Sequence, residues 1–158
     1  GLKRLQRDVL SYKPDLTVVC YGLNDSGYGE DKINEYTDSL RSIFLEIKKS
    51  DSSVIFLMPN MIGTCVNSRI NDPKIRKTAE IMCTEEKNRF MDMFMNAAEK
   101  LCRDMNVPVC NCYSLWKSMA AAGVDTTRLL CNNINHPAKE LHAMFAYELV
   151  KMMLGGKI

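Results

Sequence analysis

Three short apolar runs restrict this chain more than any other feature. Leu16 to Tyr21, Val54 to Met58 and Val107 to Tyr113 are of strand length and mostly apolar, with several β-branched members. A strand wet on one face alternates apolar and polar residues. A continuous run belongs to a strand covered on both faces, as parallel strands are. The segments between the runs carry helical stripes instead. Ile33, Tyr36, Leu40, Ile43 and Ile47 form one, and Phe90, Phe94, Ala97, Leu101 and Met105 form another. Leu2, Leu5, Val9 and Leu10 open the chain in a helix that Lys13-Pro14-Asp15 ends. A last helix is predicted from Pro137, with Leu141, Met144, Phe145 and Leu149 inward and Gly155-Gly156 at its end. Alternation of apolar strands with helices predicts an α/β fold, a parallel sheet flanked by helices. No repeat or linker interrupts residues 1–158, so one domain is expected.

Local punctuation agrees with this order. Asp72-Pro73 pairs an N-cap residue with proline at the first helical position. Thr84 before Glu85 and Glu86 is a second helix start, and Lys48 and Lys49 suit the last turn of another. Ser114 is expected to cap a short helix that Gly123 terminates. Pro108 is tolerable near the start of its strand.

Composition excludes several classes. Twenty-one basic against 19 acidic residues leave a net charge of +2, which gives no reason to expect nucleic acid or an anionic membrane as partner. No apolar run is long enough for a bilayer helix. Seven scattered cysteines read as buried, reduced thiols in a reducing compartment, and a cytoplasmic location is expected. Cys110 and Cys112 share a face if their segment is a strand, but no second pair at zinc spacing accompanies them. No Gly-rich phosphate loop or dinucleotide fingerprint is present.

In parallel α/β sheets the site lies beyond the carboxyl ends of the strands. Gly22-Leu23-Asn24-Asp25 follows the first run directly. Asn24 there could donate a side-chain N–H to an oxyanion, and the same residues also make a good turn. Asn133-Ile134-Asn135-His136-Pro137 stands late in the chain. A histidine just before a helix-opening proline sits in a loop, where it can act as a general base or simply face solvent. His142 reads as a surface residue within the last helix. Ser26, Cys20 and Ser114 are poor candidates for a nucleophile, since none adjoins an evident base.

Together the two segments resemble the SGNH hydrolases, the GDSL-type esterases and acylhydrolases. Pro14-Asp15-Leu16 with Val18 to Asp25 is similar to that family's third block, a strand running into Gly-x-Asn-Asp. Asn133 to His136 followed by Pro137 is similar to its last block, Asp-x-x-His-Pro. The resemblance implies a flavodoxin-like three-layer α/β/α fold and a serine esterase acting on a small ester, such as an acetylated sugar or a lipid. His136 would be the general base, Asn133 would position it, and Asn24 with Gly22 would face the oxyanion and substrate. No metal or organic cofactor is implied.

Two departures accompany the resemblance. The family's first block, the Gly-Asp-Ser that supplies the nucleophile, has no counterpart here, nor has its second. The chain is therefore expected to be the carboxyl-terminal part of such a domain, incomplete at its N-terminal side and inactive alone. Asn133 stands where the family has aspartate. Its carbonyl can accept the histidine's Nδ1–H but adds no charge. The alternative reading is a non-catalytic α/β binding module that kept the fold. The Leu16 to Tyr21 run would become an unprotected sheet edge, so self-association or a bound N-terminal fragment is expected.

Overall fold

Leu16–Val19 (β1), Ser53–Met58 (β2) and Val109–Asn111 (β3) pair in parallel, in the order β1-β2-β3. They belong to a computed structural model that describes residues 1–155. Thr17 lies beside Val54, and Val19 and Val109 flank Phe56. Because side chains alternate along a strand, Val19, Val54, Phe56 and Met58 share one face, while Leu16, Ile55, Leu57 and Cys110 share the other.

Helices cover both faces. The 17-residue helix Ile33–Lys49 (which becomes α2, after Leu2–Asp8 as α1) buries Tyr36, Leu40, Ile43, Phe44 and Ile47. After Pro73–Met82 (α3), the helix Glu85–Asp104 (α4) buries Phe90, Phe94, Ala98 and Leu101. All of these but Phe90 join Val19, Val54, Phe56 and Met58 in the main core. Cys112–Ala121 (α5) adds Trp116 to the same core. His142–Leu154 (α6) packs Phe145, Leu149 and Met152 against Ile55, Cys110 and Cys112 on the other face. Removing one large apolar side chain from water contributes roughly 1.5–3 kcal/mol, so this two-sided cover accounts for the strands' position. Among the described residues no helix is long and apolar enough to cross a membrane.

The predicted caps at Asp72 and Thr84 hold. Asp72 accepts the backbone N–H of Lys74 at 2.7 Å, and Thr84 accepts that of Lys87 at 3.2 Å. Four expectations need correction. The first run is paired only over Leu16–Val19, and Val18 is 42% exposed. It lies at the sheet margin, where one face stays half open. The third run is a strand only over Val109–Asn111, and Asn111 rather than Ser114 is the cap, accepting Ser114 N–H at 2.9 Å. Cys112 therefore opens a helix, although its Sγ still lies 3.8 Å from that of Cys110. Pro137 opens no helix. It pairs with Leu130 in an isolated antiparallel bridge, α6 begins five residues later, and His142 is its exposed first residue. Cys83, Cys102, Cys110 and Cys112 are buried, whereas Cys20, Cys65 and Cys131 are exposed, against the expectation of buried thiols throughout. Gly155 follows α6, and Gly156 lies outside the described residues.

Candidate active site

The turn after β1 is built around Gly22. Its φ of +121° lies in a region that side-chain-bearing residues avoid, and a Cβ there would strike the ends of Met95 and Tyr36. Gly22 N–H donates to the Asp25 carboxylate at 3.1 Å, and Gly22 C=O accepts from Ser26 N–H at 3.0 Å. Tyr36 Oη donates to Tyr21 C=O at 3.1 Å. Burial holds that phenol well above its ordinary pKa, so it stays a donor. Asn24 sits at the entry of a short 3-10 turn, Asp25–Tyr28, and is exposed with no capping bond from its side chain. Among the described residues no hydrogen bond engages its amide.

Neither nearby hydroxyl nor thiol makes a ready nucleophile. Ser26 is buried, with its hydroxyl between Leu23 C=O at 3.0 Å and Met91 Sδ at 3.3 Å. Cys20 keeps some surface at the sheet margin, yet burial pushes its thiol up to about 11, far from the thiolate that would react.

The segment carrying His136 closes on itself. Leu130 bridges Pro137, Ala138 N–H donates to Leu129 C=O at 2.9 Å, and Cys131 N–H donates to His136 C=O at 2.8 Å. Asn133 turns the chain at φ +55°, a left-handed conformation that asparagine tolerates better than most residues. Its carbonyl accepts from the Cys83 thiol at 3.7 Å, and burial pushes that thiol up to about 11. Asn132 Oδ1 accepts three successive backbone N–H groups, from Ile134, Asn135 and His136. His136 is exposed. Among the described residues no hydrogen bond joins the Asn133 amide to the His136 ring; the side chain that organises this loop is Asn132.

Both segments stand at the carboxyl ends of the strands, and α4 ties them there. Lys87 Nζ donates to Gly27 C=O at 2.7 Å, holding the loop of Asn24. The next residue, Asn88, donates to Gly63 C=O at 3.0 Å. Gly63 N–H donates in turn to Ile134 C=O at 2.6 Å, two residues before His136. Buried Asn60, just past β2, donates to Asn135 C=O at 2.9 Å and Met61 C=O at 2.7 Å. Ile134 also packs with Ile70, Ala79 and Cys83, so α3 and the long segment before it flank the histidine loop. Sequence reading missed Lys87, Asn88, Asn60 and Asn132. The position of Asn60, at a strand's carboxyl end beside Pro59, was a usable signal.

The arrangement offers an exposed imidazole and, on another loop at the same end of the sheet, an exposed amide; among the described residues neither side chain is hydrogen-bonded to a charged partner. An imidazole can carry a proton, and an amide N–H can donate to an oxyanion.

No family model and no curated protein matches the chain. Solved structures do. A catalytic mutant of Axe2, an acetylxylan esterase from Geobacillus stearothermophilus, superposes with a TM-score of 0.70 at 20% identity, covering 94% of this chain and 64% of that one. An acetyl xylan esterase, AlAXEase, matches with a TM-score of 0.67 at 18% identity over 94% of this chain and 72% of its own. The shared feature at these identities is the α/β fold. The chain thus spans under two thirds of the Axe2 chain. Catalytic mutants of Axe2 replace a serine, an aspartate or a histidine by alanine, the aspartate three residues ahead of the histidine.

Proposed function

We propose that this chain is the histidine-bearing part of a serine ester hydrolase of the SGNH type, acting on a small acyl ester. The observation that carries the reading is the tie through α4, which holds the loops of Asn24 and His136 at one end of a sheet shared with acetylxylan esterases. Asn133 and His136 stand three residues apart, as the replaced aspartate and histidine do in Axe2. A serine from a segment outside this sequence attacks the ester carbonyl while His136 takes its proton. The Asn24 amide donates to the oxygen as it becomes an oxyanion, with Gly22 shaping the turn that presents it. His136 then protonates the departing alkoxide. Water repeats the sequence on the acyl-enzyme and releases the acid. Asn133 gives the turn its left-handed residue and adds no charge beside the ring. Acetylated sugars are the proposed substrate class, by likeness to the two esterases.

The test is hydrolysis of an aryl acetate and of acetylated xylo-oligosaccharides. The polypeptide extended at its amino end through a serine-bearing segment is expected to turn over both and to be labelled by a fluorophosphonate. Residues 1–158 alone are expected to do neither. An extended polypeptide that shows no turnover above buffer favours the second reading, a binding module, for which the missing charge at Asn133 speaks.

We also propose that the β1 margin takes a partner. Ser53 N–H donates to Asp15 C=O at 2.9 Å, which sets the ladder so that Leu16 and Val18 turn their own N–H and C=O groups away from β2. A groove of about 350 Å³ beside them is lined by Leu5, Val9, Val18 and Tyr21. An unguarded apolar edge invites strand addition, by a second copy or an N-terminal fragment. Sedimentation at micromolar concentration is expected to show a species heavier than 18.0 kDa. A clean monomer with nothing bound would contradict this.

A further inference from the structure

We propose that Asn132 is the positioning residue of the candidate base; the proposal rests on the esterase reading in naming His136 as that base. Three consecutive backbone donors converge on Asn132 Oδ1, Ile134 N–H at 3.1 Å and those of Asn135 and His136 at 3.0 Å each. Converging amides of this kind form a small concavity that favours an electron-rich oxygen. The other end of the same amide is equally committed, since Nδ2 donates to Asn135 Oδ1 at 2.8 Å. The orientation of the Asn132 side chain is therefore fixed by an acceptor at one end and donors at the other.

This turn is seated on the centre of the sheet. Asn60, 4% exposed at the end of β2, donates to Asn135 C=O. His136 is then held through both of its main-chain groups, its N–H on Asn132 and its C=O on Cys131 N–H. The imidazole alone is left to move. Asn133 does a different task, since it supplies the left-handed residue of the turn and an acceptor for Cys83. A shift of about 1 Å in a reacting group can cost about 10²-fold in rate, so a residue that fixes the base's backbone acts on turnover rather than on substrate binding.

Two variants separate this role from general stability. Asn132→Asp keeps an oxygen facing the three donors, while Asn132→Leu keeps the volume and removes it. In residues 1–158 alone, amide exchange at Asn135 and His136 is expected to speed up by about tenfold in Asn132→Leu and to stay near the parent rate in Asn132→Asp. In the extended polypeptide, Asn132→Leu is expected to lower kcat by about 10–10²-fold with KM within about twofold, and Asn132→Asp to restore most of the loss. If Asn132→Leu does not fold, Asn132→Ala supplies the same comparison. Equal exchange in all three proteins would overturn the proposal, as would faster exchange with kcat unchanged. Failure of the esterase reading shows separately, as full turnover by His136→Ala, and the exchange result then still decides whether Asn132 holds the loop.

Discussion

Replacing His136 by alanine in the extended polypeptide is expected to lower kcat by about 10²–10⁴, the usual scale for a general base. The substitution is unusually clean. The contacts that fix the loop at this residue are main-chain ones, to Asn132 and from Cys131, and alanine retains both. The ring is exposed and packs no core. The variant should therefore fold and melt like its parent while losing turnover on aryl acetate. Parallel measurement of kcat, KM and thermal unfolding checks both halves. Unchanged kcat would remove His136 from the mechanism.

The largest effect on stability is expected at Phe56. It lies fully buried on the central strand, with its ring edge-on to Phe44 at a centroid distance of 6.0 Å. Phe56→Ala should cost about 3–5 kcal/mol, because the lost transfer energy is joined by a cavity the surrounding helices cannot close. The backbone bond from Phe56 N–H to Pro108 C=O survives the change, so the loss reports packing. A domain of this size is typically stable by only about 5–15 kcal/mol, so the variant should be close to unfolding at room temperature. The urea midpoint reads the shift, with the slope unchanged if the unfolded state is unaltered. Tyr12→Ala, at a residue 80% exposed, should stay within about 0.5 kcal/mol and serves as control. A cost at Phe56 no greater than that of Tyr12 would mean that β2 is not the core of the fold.

How much the sequence discloses depends on the range of the interaction. The stripe of α2 and the caps at Asp72 and Thr84 are local, and they read correctly. The three strands and their parallel pairing were legible because continuous apolar runs have few other uses. Their ends were not. Cys112 and Tyr113 are as apolar as a strand requires, but Asn111 offers its side-chain carbonyl to Ser114 and starts a helix, and periodicity cannot separate these in so short a run. Pro137 misled for a related reason. Its fixed φ suits a helix start and a bridge equally, and the pairing with Leu130 decides between them. At the site, Asn24 and His136 stand out in the sequence as candidates, one directly after a strand and the other directly before a proline. The residues that bring their loops together were not, since Lys87 reaches back 60 positions and Asn60 reaches forward 75. Only Asn60 carries a local mark, its place at a strand's carboxyl end.

The first turn of α4 carries a consequence for how the site comes apart. Helix ends fray before helix centres, and this end is secured by Thr84 and by the acidic pair Glu85 and Glu86. Further along, Phe94, Ala98 and Leu101 are embedded in the core. Fraying can thus release Lys87 and Asn88 while the sheet stays intact, so both flanking loops lose their tie to α4 in the same event while Asn60 still seats the histidine loop on β2. The link between the two candidate loops therefore has its own lifetime, set by a helix cap rather than by the stability of the domain beneath it.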